Sequence, residues 1–174
     1  MDNKMGTIAL FDGYVLKELN QEEYDEITHY EKNQQAVYDL CKRALESADA
    51  TELPSLKKKI EVLCSRKKIV ARSFGVYYHG EYAGYISFAE YNCATPEIQI
   101  ELKEGHRNKG VGYRAVSLLT NKIFEERQDI EYFLYYVRSE NDASIKLIEK
   151  LGGTKIERKD FVEQIIKRYH LYRK

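Results

Sequence analysis

The residues best placed for chemistry lie within 96–114, P-E-I-Q-I-E-L-K-E-G-H-R-N-K-G-V-G-Y-R. Ile98, Ile100 and Leu102 alternate with Glu97, Gln99 and Glu101, the period of two expected of a strand with unlike faces. Arg107, Asn108, Lys109, Gly110, Val111, Gly112 and Tyr113 follow, and Val111, Ala115, Leu118, Leu119 and Ile123 recur at helical spacing. A helix start leaves about four backbone N–H groups without intrahelical partners and carries roughly half a positive charge. Gly110 and Gly112 lack Cβ, so a bulky anion can approach those amides. Arg107 and Lys109 add positive charge beside them. Two readings fit: a phosphate or diphosphate seat, or an ordinary surface turn with glycines and solvated basic residues.

Two better-known phosphate motifs fail. A P-loop needs G-x-x-x-x-G-K-[ST], and no such string occurs. The dinucleotide fingerprint needs a third glycine where Ala115 stands, and a strand alternating with carboxylates does not suit a buried parallel strand.

The elements that must position this stretch can be read outward from it. A strand over 14–19 ends at Asn20, which forms a helix N-cap pair with Glu23. Tyr24, Ile27, Val37, Leu40, Cys41, Ala44 and Leu45 make a helical stripe; a second helix begins near Pro54 and carries Leu56, Ile60, Leu63 and Cys64. Segments 69–78 and 82–91 read as strands joined by a His79-Gly80-Glu81 hairpin turn. The helix after the glycine turn runs to about Glu126. Residues 130–137, I-E-Y-F-L-Y-Y-V, are nearly all apolar, as in a central strand covered on both faces. A helix starts at Asn141 and is stopped by Gly152-Gly153. Strands over 154–157 and 165–173 close the chain, with a charged loop between them. The order β-α-α-β-β-β-α-β-α-β-β predicts an α/β fold: a mixed six- to seven-stranded sheet with helices on both faces, in one domain over 1–174.

Composition excludes other classes. Lys plus Arg and Asp plus Glu balance at 28 each, so no broad basic field favours nucleic acid. No apolar run approaches the roughly 20 residues of a membrane span, and residues 1–13 lack the apolar core of a signal peptide; the expectation is a cytoplasmic protein. Cys41, Cys64 and Cys93, with His29, His79, His106 and His170, show neither disulfide nor metal-ligand spacing, so no metal is expected.

A strand feeding R-x-x-G-x-G at its helix start, met by Arg107, Gly110 and Gly112, resembles the GNAT (Gcn5-related N-acetyltransferase) superfamily. Asn141-Asp142-Ala143-Ser144 and Glu149-Lys150-Leu151-Gly152 are similar to that family's N-x-x-[A/S]…K-L-G-F segment. The pattern is nearest the bacterial ribosomal-protein N-terminal and spermidine acetyltransferase branch. The resemblance implies splayed central strands, acetyl-CoA as donor, and direct acetyl transfer to a primary amine through a tetrahedral intermediate. It also allows a homodimer. By position, the main chain of Ile100, Glu101 and Leu102 would pair with the pantetheine arm. The backbone of Arg107, Asn108, Lys109, Gly110, Val111, Gly112 and Tyr113 would hold the diphosphate. Asn141 would bond the arm, and Ser144 would sit near the thioester sulfur.

Two positions depart from the family. Ile148 stands where a tyrosine often acts as general acid, and Gly153 replaces the aromatic after Leu-Gly. Proton donation then falls to Ser144, another tyrosine, or water; the chain has 15 tyrosines. An alkyl amine of pKa about 10.4 is neutral only about once in a few thousand molecules at pH 7, so it depends on a base. Glu97 is the first candidate base and Glu101 the second; a structural carboxylate is the competing reading for both. Asn141 and Ser144 also serve as ordinary capping residues. Glu22, Glu23, Asp25 and Glu26 are either a polyamine-binding cluster or a solvated helix start. The missing tyrosine leaves a second function open, a CoA or acyl-CoA-binding module without turnover.

Overall fold

The computed structural model describes residues 6–28, 70–157 and 166–174, with isolated helical positions at 39, 43, 46, 54 and 57. Most of the two helices expected over 20–64 lie outside the described residues, as do His29, Cys41, Cys64 and the loop 158–165. The chain divides into two compact units, Met1–Leu19 with Val70–Lys174, and Asn20–Ile69.

In the second unit, helix α1 (Gln21–Thr28) opens with the expected reciprocal cap. The Glu23 N–H donates to Asn20 Oδ1 at 2.9 Å, and the Asn20 N–H donates to Glu23 Oε2 at 2.7 Å. Gln21 Nε2 donates to Asp25 Oδ1 at 2.7 Å. Two of the four clustered carboxylates are thus engaged within their own helix.

The first unit is one mixed sheet. Its elements are β1 (Ile8–Phe11), β2 (Tyr14–Leu19), β3 (Ala71–Tyr78), β4 (Glu81–Ala89), β5 (Glu97–Leu102), a 3₁₀ turn (Glu104–His106), α2 (Val111–Glu126), β6 (Tyr132–Arg138), α3 (Asp142–Leu151), β7 (Thr154–Ile156) and β8 (Ile166–Tyr172). The eight strands run in the order β1-β2-β3-β4-β5-β6-β8-β7. The count exceeds the expected six to seven because β1 was not anticipated. It folds back on β2 through Asp12-Gly13, both at positive φ (44° and 83°), the geometry of a two-residue hairpin turn. His79-Gly80, at 48° and 89°, turns the β3–β4 hairpin in the same way.

Alternation sorts the strand residues between two faces. Leu16, Phe74, Ile86, Phe88, Ile98 and Phe133 are buried together with Val111, Ala115, Leu119 and Ile123 of α2. Phe133 sits 5.3 Å from Phe88 and 4.7 Å from Phe124, measured between ring centroids, which seats α2 on this face. Among the described strands the one parallel pair is β5–β6. Its register holds the single pair Glu97 opposite Leu134, whereas β4–β5 is paired from Glu97 through Leu102. Beyond Glu97 the two central strands have parted, as the expected splay requires.

Candidate active site

The parting of β5 and β6 exposes one edge of β5. Lys103 N–H donates to Ala83 O at 2.9 Å, which puts 97, 99, 101 and 103 in the ladder with β4. Antiparallel alternation then turns the main chain of Ile98, Ile100 and Leu102 the other way, toward the gap. Of the three residues expected to meet a pantetheine arm, Ile100 and Leu102 present their main chain and Glu101 does not. The Leu102 carbonyl already accepts from Arg107 Nε at 2.7 Å, so the amide and carbonyl of Ile100 are the best-placed pair.

The gap continues into a groove of about 720 Å³. Ile100, Glu101 and Leu102 line it with Arg107, Asn108, Gly110, Val111, Gly112 and Tyr113, and α3 adds Asn141, Ala143, Ser144, Lys146, Leu147 and Lys150. Every coenzyme-binding candidate from the sequence lines this groove except Lys109. Leu147, Lys146 and Lys150 were missed. The signal was present, because Ala143, Leu147 and Lys150 follow one face of α3 at helical spacing. Lys150 Nζ lies 4.5 Å from the centroid of the Tyr113 ring.

The floor of the groove is the start of α2. Gly110 is its N-cap at φ 78° in the left-handed region, with no side-chain cap hydrogen bond. A Cβ there would meet nothing within 4 Å, so backbone conformation is what requires glycine. Gly112 has a different reason. A Cβ on it would lie 3.0 Å from Ile100 Cδ1 and 3.6 Å from Leu147 Cδ2. Its absence lets α2 settle against β5. The turn before Arg107 is anchored from outside the groove, where Tyr14 Oη and His106 Nδ1 are 2.9 Å apart.

Across the groove, Asn141 Oδ1 accepts the Ser144 N–H at 3.1 Å and caps α3. Tyr135 is buried beneath, beside Ser144. Burial pushes the Tyr135 phenol pKa up, and the Ser144 contact opposes that shift. Ile148 is fully buried in the core. A Cβ on Gly153 would meet Ile148 Cγ1 at 2.6 Å and its carbonyl oxygen at 3.0 Å. The two departures are therefore one feature: the isoleucine side chain occupies the space that a larger residue at 153 would need.

Glu97 lies outside the groove lining, half-buried at the end of β5 where the strands begin to part. Gln99 Nε2 donates to its Oε1 at 3.4 Å. Glu101 is exposed. Among the described residues, no group of three or more His, Cys, Asp or Glu could hold a metal ion, and no helix is long and apolar enough to cross a membrane.

Comparison with known proteins bears on the fold and the family. The sequence profile of the acetyltransferase (GNAT) domain matches residues 14–154. A search of curated proteins by sequence finds no match. Among solved structures, the chain superposes on RimL, a ribosomal L7/L12 α-N-protein acetyltransferase in complex with coenzyme A, with a TM-score of 0.57 at 18% identity, covering 95% of this chain and 97% of that one. Spermidine N-acetyltransferase from Vibrio cholerae, in complex with CoA and spermine, gives 0.56 at 16% identity, covering 93% and 96%. Ribosomal-protein-S5-alanine acetyltransferase from Vibrio fischeri gives 0.57 at 14% identity, covering 97% and 95%. At these identities the structures establish a shared fold. The profile match, which spans most of the chain, establishes that the protein belongs to the GNAT acetyltransferase family.

Proposed function

We propose that the chain, as one functional domain over 1–174, is a cytoplasmic N-acetyltransferase that moves the acetyl group of acetyl-CoA to a primary amine. The observation that carries this reading is the uncapped, glycine-bearing start of α2, opening into a groove beside the unpaired edge of β5. Free amides at a helix N-terminus suit a diphosphate, and the Ile100 amide and carbonyl suit the two amides of a pantetheine arm. Arg107, Lys146 and Lys150 supply positive charge along the groove.

The acceptor amine loses its proton to Glu97, directly or through water, and attacks the thioester carbonyl. The Leu102 N–H, on the same edge of β5, donates to the developing oxyanion. As the intermediate collapses, the proton shed by the attacking nitrogen is relayed through the Ser144 hydroxyl to the departing thiolate, leaving a neutral serine, the amide and the free thiol. Glu101 is the alternative base.

A panel of amines incubated with acetyl-CoA, with released thiol as the readout, tests the reading. Transfer to at least one class well above hydrolysis is the expected result. One observation favours a second reading. The position of the usual acid is a core isoleucine, as a coenzyme-binding module without turnover would tolerate. That module gives thermal stabilisation by acetyl-CoA and no transfer to any amine.

A further inference from the structure

Strands β5, β6 and β8 lie side by side, and their registers set side chains in rows across them. Glu97 is opposite Leu134, and Leu134 is opposite His170; one step along, Tyr136 is opposite Arg168. Cross-strand partners share a face. Glu97, Gln99 and Glu101 therefore stand on one face with Leu134, Tyr136, Arg168 and His170, the face turned away from Phe133 and α2. Charge divides along it: carboxylates on β5, an apolar and aromatic strip on β6, a guanidinium and an imidazole on β8.

The β8 groups are incomplete. Arg168 has no ion-pair partner among the described residues, its Nε is buried without a hydrogen bond, and its guanidinium carbon lies 6.0 Å from the centroid of Tyr136. His170 is 8% exposed, with Tyr132 stacked on its ring at 4.0 Å. Its Nδ1 is 3.2 Å from the Tyr172 hydroxyl, and its Nε2 is buried with no partner. With that hydroxyl donating to Nδ1, Nε2 carries the proton and is a donor. A buried donor left unpaired is destabilising, and folded proteins keep few. In that tautomer two of them stand on one face of one strand, two residues apart. Both suit an acceptor, and the Arg168 guanidinium favours one of negative charge.

We propose that this face receives a zwitterionic acceptor: an amine that also carries a carboxylate or phosphate, with its ammonium toward Glu97 and its anion on Arg168 and His170. The proposal rests on the transferase reading and names the acceptor class for that site. β5 and β8 are two strand spacings apart, about 10 Å, so the acceptor's two charges fall within that span. A polyamine, cationic throughout, meets Arg168 unfavourably.

Initial rates with acetyl-CoA on matched pairs test it: alanyl-glutamate amide against alanyl-glutamine amide, phosphoethanolamine against ethanolamine, and spermidine as the cationic control. The expected result is kcat/KM about tenfold or more higher for an anionic member than for its neutral partner, the ratio a charge-assisted contact supports. The pair showing the larger ratio separates carboxylate from phosphate. Arg168→Gln abolishes the preference through KM, with kcat and stabilisation by acetyl-CoA little changed; Arg168→Lys restores part of it, and His170→Gln weakens it separately. Equal rates within both pairs, a spermidine preference, or an undiminished ratio in folded Arg168→Gln overturns the proposal alone. No transfer to any amine, while acetyl-CoA still stabilises the protein, overturns the transferase reading and this proposal with it.

Discussion

The two helix starts that flank the groove are built on opposite principles. α3 is closed: Asn141 accepts the Ser144 N–H, so the protein satisfies that amide itself. α2 is open: a left-handed glycine stands at its cap, and among the described residues no side chain caps its first amides. α1, whose start is doubly capped by Asn20 and Glu23, shows how the same chain closes a helix when nothing else is asked of it. A helix N-terminus favours anions wherever it occurs, but only one without internal partners keeps its donors for a ligand. The difference separates the structural use of a helix start from its use as a binding surface.

Closing α2 should break the comparison with the largest effect. Gly110→Asp places a capping carboxylate and a negative charge where the diphosphate would sit. Coenzyme A binding, measured by calorimetry, should weaken roughly 30- to 100-fold, about 2–3 kcal/mol. The melting temperature should change little, because the gained cap offsets the strain of a non-glycine residue at positive φ. Unchanged affinity would mean that the α2 amides do not hold the ligand.

At the far end of α3, Gly153→Ala forces a methyl against Ile148 and should cost about 1–3 kcal/mol in chemical denaturation. Coenzyme affinity should be retained if the groove depends on the N-terminal half of α3.

The cap itself can be divided. Asn141→Ala should cost about 1 kcal/mol of stability. Asn141→Ser keeps an acceptor oxygen for the cap and removes the amide donor. If Asn141 also bonds the pantetheine arm, the serine variant keeps the melting temperature and loses several-fold in coenzyme affinity. Loss of neither in Asn141→Ser reduces Asn141 to a cap, and the contrast between the two starts becomes complete.

The smallest effect is one of pH. Burial, then the nearby Arg168 charge, hold the His170 imidazole below its ordinary pKa. The unfolded chain therefore binds a proton more readily than the folded one. Stability from this site is complete above the unfolded value of about 6.5, and it is lost as pH falls from there toward the folded pKa. Denaturation midpoints between pH 7 and pH 5 should fall less in His170→Gln than in the parent protein.

Much of the open helix start was legible in the sequence, because glycine spacing, strand alternation and helical period all point to one junction. The closed start was legible as well, since asparagine before an apolar period is a direct local signal. What stayed hidden depended on tertiary partners. The Asp12-Gly13 dipeptide is a strong hairpin signal, yet β1 is only four residues long, too short for its alternation to stand out. Expecting the Glu101 main chain to face the gap overlooked strand alternation, which gives it to β4. Ile148 and Gly153 looked like two separate departures from a family pattern, since only the folded helix brings them into contact. Arg168 and His170 carried no motif; their significance comes from sharing a row with Glu97 across two strands.

The Ile148–Gly153 contact also constrains how this protein could change. A tyrosine introduced at 148 alone enters a filled core, and an aromatic introduced at 153 alone meets the isoleucine side chain and its carbonyl. Each single step toward the usual family arrangement is disfavoured while the other residue stays as it is. The pair behaves as an epistatic lock: the two positions can change only together.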